Sequence, residues 1–182
     1  MSVDPTQQLA DERQLVLMVV EAMEAEVAFV EATDIVHAER VAQMVDFTRN
    51  FTDGCHHSKE EDLLFPLLEE RDPSAGGTVS VLLTEHQAGR ECMRAIDVAL
   101  PEVESSAEAR SVVAENLRLY AFLLRLHIGK EDTVLFPLTE KLLNVSELEL
   151  LAAEFDRVEG ETGAAVHEHY HQVAHALAET PA

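Results

Sequence analysis

The 182-residue chain contains no tryptophan, two cysteines, seven glycines and six prolines, and only 5% of its residues are aromatic. The two cysteines, Cys55 and Cys92, have no paired spacing. This argues against a disulfide-stapled secreted scaffold and favours reduced thiols in a cytoplasm. Because glycine and proline are sparse while Ala, Leu, Glu and Val dominate, the composition predicts an all-α protein.

Positive charge and long apolar runs are also scarce. Lys and Arg number 13 against 35 Asp and Glu, so the formal net charge is −22. Nucleic-acid backbones and anionic membranes repel such a chain, so neither is expected as a partner. No segment is apolar for long enough to cross a bilayer, and residues 1–10 lack the pattern of a signal peptide. We expect a cytoplasmic protein, whose oligomeric state the sequence does not specify.

A twelve-residue pattern occurs twice, at residues 56–67 and 127–138. The two copies share His, Lys, Glu, Phe, Pro and Leu at the same offsets, without a gap. Such a match over two separate segments predicts that both adopt the same local structure and carry the same chemistry.

Each copy contains a His-x-x-x-Glu pair, His56 with Glu60 and His127 with Glu131. The first copy also offers His57 one residue on, but only His56 keeps the distance to Leu-Phe-Pro that His127 has. We therefore interpret His57 as a packing residue or a hydrogen-bonding neighbour of the ligands. His at i and Glu at i+4 lie on one side of a helix, where imidazole and carboxylate can converge on a metal ion.

Apolar residues recur at helical spacing in four long segments separated by short links, and a further segment follows them. The pattern predicts an antiparallel up-down four-helix bundle with an additional C-terminal helix. Residues 1–143 are assigned to the bundle, and residues 144–182 to a helical extension packed on the same domain. Pro66 is expected to kink or end its helix. Helix starts are predicted at Thr78, Ser105 and Ser146.

Three histidines and two glutamates fall on inward positions of the predicted helices, and they are His56, Glu60, His86, His127 and Glu131. A buried carboxylate is costly unless it is paired or binds a metal. These five residues are therefore the predicted metal ligands. His167 and His171 are weaker candidates, because a polar helix face that contains some histidine is the more frequent outcome. Tyr120 lies one heptad before His127 and is either a core residue or a phenol that faces the site.

At these residues the sequence resembles the hemerythrin-like, His-His-Glu cation-binding family, over nearly the whole chain. The motifs that carry the resemblance are His56-x-x-x-Glu60 with Leu-Phe-Pro, Glu85-His86, and His127-x-x-x-Glu131 with Leu-Phe-Pro. The resemblance implies a four-helix bundle holding a non-haem diiron centre, with Glu60 and Glu131 bridging the irons and the three histidines as nitrogen ligands.

The chain departs from the family pattern at position 13, where the family's first-helix histidine is replaced by Arg13. Arginine stays protonated and has no lone pair for a metal. Arg13 can pair with a carboxylate or a bound oxygen species and leave one iron with an open position. Alternatively another residue fills the gap, or the second metal binds weakly. The candidates for filling the gap are Glu12, Gln14, Tyr120, His167 and His171.

The leading function hypothesis is an iron protein, with two irons per chain, that binds or reacts with dioxygen, peroxide or nitric oxide. The sequence does not decide whether it is an enzyme; if it is, the class is a peroxide- or nitric oxide-handling diiron oxidoreductase. One alternative is iron storage, delivery or iron-centre repair without turnover. Another is a degenerate bundle with a vestigial metal site, which the arginine at position 13 motivates.

Overall fold

The computed structural model describes residues 4–162 and 164–180, and within these ranges the chain is all-α and contains no strand. Its α-helices are α1 (Pro5–Thr33), α2 (Ala38–Phe47), α3 (Phe65–Arg71), α4 (Gly76–Ala99), α5 (Ala107–Lys130), α6 (Phe136–Leu142), α7 (Val145–Thr162) and α8 (Ala164–Glu179). Wider π-helical segments are π1 (Thr48–His57), π2 (Glu60–Leu64) and π3 (Glu131–Leu135). Over these ranges no helix is long and apolar enough to cross a membrane.

Pro66 does not end its helix, which was one of the two outcomes expected from the sequence. The path from α2 through π1 and π2 into α3 is helical throughout, and the path from α5 through π3 into α6 matches it. In each copy of the repeat the Phe N–H donates to the carbonyl of the predicted ligand Glu five residues earlier, Phe65 to Glu60 and Phe136 to Glu131. The wider turn accommodates the proline, which lacks an N–H and would clash with a regular α-turn.

Three helix starts differ from the predicted positions by one or two residues. Helix α4 begins at Gly76 instead of Thr78. The N-cap of α5 is Ser106, whose side chain accepts from the N–H of Ala109, and not Ser105. Helix α7 begins at Val145, with Asn144 and Glu147 exchanging hydrogen bonds as a capping box. These shifts do not change which helix faces lie inside.

The apolar core consists of two clusters. One cluster contains Val20, Phe47 and Tyr120 among its members, and the other contains Leu9, Phe65 and Phe155 among its members. Each of the four long helical paths carries buried charged or histidine side chains between its members of the two clusters. They are Glu12, Arg13, His56, His57, Lys59, Glu60, His86, His127 and Glu131. The site is thus a polar layer closed by apolar packing on both sides.

The C-terminal helices pack against the rest of the chain. Helix α8 contacts α1 and α2, and α7 contacts α1 and the two π-segments of the first repeat copy. Tyr170, Ala174 and Leu177 of α8 join the first apolar cluster, while Leu151 and Phe155 of α7 join the second. The division of the chain at residue 143 stays a prediction.

Candidate metal centre

The five predicted ligands come together in the polar layer, and each is at most 2% exposed. Two groups of donor atoms form there, each with its atoms within 4.8 Å of one another. One group consists of His56, Glu60 and Glu131, and the other of His57, Glu60, His86 and His127. Glu60 belongs to both groups, so its two oxygens can serve two cations at once. The assignment of these residues as ligands stays a prediction.

Glu60 and Glu131 each have oxygens in this layer that accept no hydrogen bond from the described residues, although His86 Nε2 lies 3.4 Å from Glu60 Oε2 and His127 Nε2 lies 2.8 Å from Glu131 Oε1. Both oxygens of Glu60 and Oε1 of Glu131 are buried without a hydrogen bond from any described residue. Burying an ionised carboxylate without a partner is expensive, because the low-dielectric interior does not replace its hydration. Bound cations would supply that missing partner, so the donor set fits a metal centre.

Three of the histidines are oriented by carboxylates that bind their Nδ1 atoms. The pairs are His56 with Glu12 at 3.0 Å, His86 with Glu61 at 2.6 Å, and His127 with Glu85 at 3.0 Å. In the neutral ring this leaves the proton on Nδ1 and the lone pair on Nε2, which faces the centre. Carboxylates that hold metal-binding imidazoles in this way are a common outer layer of metal sites.

The Nε2 atoms of His86 and His127 face each other at 3.1 Å. If both rings carry their proton on Nδ1, two lone pairs meet there, which is unfavourable without a cation between them or nearby. Glu131 Oε1 lies 2.8 Å from the same nitrogen of His127. In the metal-free chain burial alone would lower the pKa of His127, but Glu131 and Glu85 raise it to about 10. A proton on this ring then takes over part of the role of a cation.

The two glutamates shared by the repeat have pKa values displaced in opposite directions. Burial, and then repulsion by Glu131, raises the pKa of Glu60. Burial also acts to raise the pKa of Glu131, but His127, His56 and Arg13 outweigh it and hold that pKa well below its usual range. In the metal-free centre Glu60 therefore takes up a proton more readily than Glu131, and metal ions compete with protons for the site.

The lysine of the repeat has the same role in both copies. Lys59 Nζ lies 2.5 Å from Glu12, which binds His56, and Lys130 Nζ lies 2.5 Å from Glu85, which binds His127. Each copy therefore forms a Lys–Glu–His chain through a carboxylate of another helix. Sequence reasoning noted the shared lysine but assigned it no role; its invariance between the copies was the available signal.

Arg13 pairs with Glu131, a predicted ligand, as one of the sequence-based alternatives anticipates. Its NH1 donates to Glu131 Oε2 at 2.8 Å, its NH2 donates to Asp132 at 2.7 Å, and the guanidinium lies over the ring of Phe136 at 4.4 Å. Glu131 therefore gives one oxygen to Arg13 and keeps the other for the centre.

His57 lies inside the donor cluster, a position that the repeat overlay did not anticipate. Its ring stacks on that of His86, with centroids 3.7 Å apart, and neither of its nitrogens has a hydrogen-bond partner among the described residues. The carboxylate of Asp53 lies 3.5 Å from Nδ1 of His57. Burial, and then the neighbouring His86, hold the pKa of His57 well below its usual range, so its ring stays neutral and available to a metal.

The two weaker ligand candidates, His167 and His171, lie away from the centre. His167 Nε2 is 3.9 Å from Glu12 Oε1, in an outer group with Glu12 and Glu159. His171 lies beside His175 on the surface of α8, with ring centroids 4.6 Å apart. Among the described residues neither histidine joins the two donor groups of the centre. Their assignment as ligands stays a prediction.

The family model for the hemerythrin HHE cation-binding domain matches residues 12–139. The chain belongs to this family. The match contains all five predicted ligands and also the carboxylates Glu12, Glu61 and Glu85 that orient the histidines. The family, the sequence motifs and the geometry therefore all indicate that the chain binds a cation.

Curated relatives of this hemerythrin-family chain include uncharacterized protein Rv1995 of Mycobacterium tuberculosis and uncharacterized protein Mb2018 of Mycobacterium bovis. Each is 29% identical over 138 residues, which cover 73% of this chain and 54% of the relative. The chain thus spans about half the length of the curated relatives it matches. No solved structure matches the chain.

Replacing Lys59 by methionine is expected to destabilise the hemerythrin-family fold far more than replacing Lys130 by methionine. Lys59 is fully buried between Glu12 and Glu159, whereas Lys130 is 37% exposed. Removing one partner of a buried ion pair costs roughly 3–5 kcal/mol, and a surface pair contributes about 1 kcal/mol or less. Urea unfolding of the two metal-free variants measures the difference, and equal losses would contradict the buried role of Lys59.

Acid is expected to destabilise the metal-free protein through Glu12. Burial acts to raise the pKa of Glu12, but His56 and Lys59 lower it from 4.5 to about 2. Because the folded pKa is the lower one, the unfolded chain takes up the proton first. The stabilisation is complete above pH 4.5 and is lost as the pH falls towards 2. Over this pH window the free energy of unfolding of the wild type should fall by roughly 2–3 kcal/mol more than that of Glu12→Gln. Parallel curves of unfolding free energy against pH for the two proteins would contradict this prediction.

Proposed function

We propose that the protein holds a non-haem diiron centre between its repeated His-x-x-x-Glu segments and binds or reacts with dioxygen, peroxide or nitric oxide. The proposal includes the antiparallel four-helix bundle, formed by α1, the α2–α3 path, α4 and the α5–α6 path, with α7 and α8 as the C-terminal addition. A cytoplasmic location is part of the same proposal.

One observation carries the proposal. Glu60 is fully buried, has no hydrogen bond from the described residues on either oxygen, and belongs to both donor groups. A carboxylate in this position is suited to bridge two cations. The mixture of imidazole nitrogens and carboxylate oxygens suits iron, and helical bundles build carboxylate-bridged iron pairs from such residues.

When bound, iron would supply the change of oxidation state and the affinity for small oxygen and nitrogen species. The protein residues would hold and orient it. His56 and Glu131 would serve one iron and His57, His86 and His127 the other, with Glu60 shared between them. The carboxylates at the Nδ1 atoms would fix the imidazole tautomer, and Arg13 would keep Glu131 ionised. The group of His56, Glu60 and Glu131 has fewer protein donors than the other group. This favours a coordination position on its iron that a small ligand can occupy.

A second candidate is a centre that retains a single metal or none, as in a vestigial site. The ion pair between Arg13 and Glu131 favours it, because a fixed positive charge beside a ligand carboxylate opposes a second cation. Iron storage or repair has no specific support in the geometry, and transfer of iron to a metal-free acceptor without peroxide consumption would identify it.

Iron stoichiometry after anaerobic reconstitution tests the proposal. We expect two irons per chain, visible absorption of a ferric centre after oxidation, and a change of that spectrum on adding azide, peroxide or nitric oxide. One iron per chain would favour the second candidate. Failure to bind iron, or a spectrum indifferent to all three additions, would refute the proposed function.

A further inference from the structure

A cavity of about 240 Å³ lies against the histidine side of the centre, where His57, His86 and His127 form one of its walls. Apolar side chains, among them Met93, Leu123 and Leu124, form much of the remainder. A protein cavity of roughly 150 Å³ accommodates benzene, and a water molecule takes a share of about 30 Å³. The cavity is therefore far larger than a diatomic ligand requires and has room for a ring-sized organic molecule.

The hydroxyl of Tyr120 points to a ligand in this cavity. Tyr120 lines the cavity, is only 2% exposed, and its hydroxyl has no hydrogen-bond partner in the described part of the chain. Thr48 and Thr52 are polar neighbours of the phenol, but neither forms a hydrogen bond of normal geometry with it. Leaving a buried hydroxyl unpaired is unfavourable. A ligand acceptor atom in the cavity would pair it.

The packing of Tyr120 depends on a glycine across the cavity wall. A Cβ atom at Gly89 would lie 3.1 Å from the Tyr120 ring. The absence of a side chain on α4 at this point lets the ring lie close against that helix. The position of the phenol is therefore set by both helices that border the cavity.

The cavity is also lined by three arginines and two carboxylates, in a chain whose formal net charge is −22. Both carboxylates have cationic partners, Asp53 in Arg90 and Glu85 in Lys130. Arg49 pairs with Asp97 at 2.6 Å, and Arg90 is bonded to Asp53 and Glu61. Arg94 is different, because its acidic neighbour Glu91 is 3.7 Å away and its side chain is 61% exposed. Arg94 thus keeps donors for an anion that enters from solvent.

We propose that this cavity binds a small organic acid that carries one ring or a short chain, with its carboxylate at Arg94, its apolar body against Leu123 and Met93, and a hydrogen-bond acceptor at Tyr120. The inference goes beyond the proposed function, because it assigns an organic ligand to the wall of the centre and does not depend on which metal is bound. Diatomic ligands need neither the volume nor the arginine.

The test uses isothermal titration of the full chain, with the metal that it carries, against 4-hydroxybenzoate and benzoate. Leu123→Trp should abolish binding of both acids by filling the cavity. Arg94→Gln should weaken both by about tenfold, or roughly 1.4 kcal/mol, whereas Arg118→Gln, an exposed control, should change neither. Tyr120→Phe should weaken 4-hydroxybenzoate several-fold and leave benzoate almost unchanged, because benzoate has no 4-hydroxyl group to pair with the phenol.

The neutral amide 4-hydroxybenzamide should bind at least fivefold more weakly than the acid. Affinity of the acids that survives Leu123→Trp would overturn the assignment of the cavity. Affinity that is unchanged by Arg94→Gln but lost on metal removal would mean direct metal binding only, and would also overturn it. A naphthoate that binds as tightly as benzoate would overturn the single-ring size limit. Iron stoichiometry is unaffected by these outcomes, so the proposed function is judged separately.

Discussion

Glu60→Gln is expected to reduce bound iron from two per chain to none or to a weakly held single ion. Glu60 is shared by both donor groups, and an amide cannot supply the negative charge or bridge two cations. Metal analysis after anaerobic reconstitution measures the loss. The metal-free variant should be as stable as wild type or more stable, because it lacks a buried carboxylate whose pKa is raised by burial and by Glu131.

Two variants in the same turns serve as controls for this result. Asp62→Asn changes an exposed carboxylate two residues away and should leave both irons in place. Glu61→Gln removes the carboxylate that orients His86, and losing such a partner lowers metal affinity by about 10–100-fold while keeping the ligand itself. Two tightly bound irons in Glu60→Gln would exclude a bridging role for Glu60.

Arg13→His is expected to raise the affinity for the second iron by at least about tenfold, equivalent to roughly 1.4 kcal/mol. The substitution removes a fixed positive charge from Glu131 and adds an imidazole at the position where the family resemblance places a histidine. The metal-free variant should be less stable than wild type, because Glu131 then remains buried without its arginine partner. Iron titration with a competing chelator, and urea unfolding, measure the two effects.

Arg13→Gln separates the two contributions. It removes the charge without adding a ligand of imidazole type, so its gain in iron affinity should be smaller than that of Arg13→His. Equal gains in the two variants would show that the charge alone controls the second iron. Unchanged affinity in both would show that position 13 does not limit the centre.

Local periodicity was sufficient to predict that four of the candidate donors are buried. His56 with Glu60 and His127 with Glu131 are each one turn apart on a helix, so sequence spacing alone places each pair on one face. Apolar neighbours at helical spacing then indicate that this face is inside. The structure brings these four residues and His86 into one buried layer for the same reason.

His57 escaped that reasoning because the overlay of the two copies sets it against Ile128, which cannot bind a metal. The segment Thr48–His57 is π-helical, and a π-turn contains more residues than the 3.6 of an α-turn. What places His57 among the donors is its stacking on His86 of α4, since the corresponding Ile128 is also buried although it lies in the regular helix α5. Only the packing on neighbouring helices shows this.

By itself the sequence determined the helical class, the repeated motif, the buried donors and the anomaly at position 13, because each depends on local spacing and residue chemistry. The tertiary structure decided what those residues touch. Glu12 and Glu85 reach His56 and His127 from other helices, and Arg13 reaches Glu131, 118 positions away. Such contacts depend on the rotation and register of one helix against another, and these are fixed only when the two apolar clusters pack on either side of the polar layer.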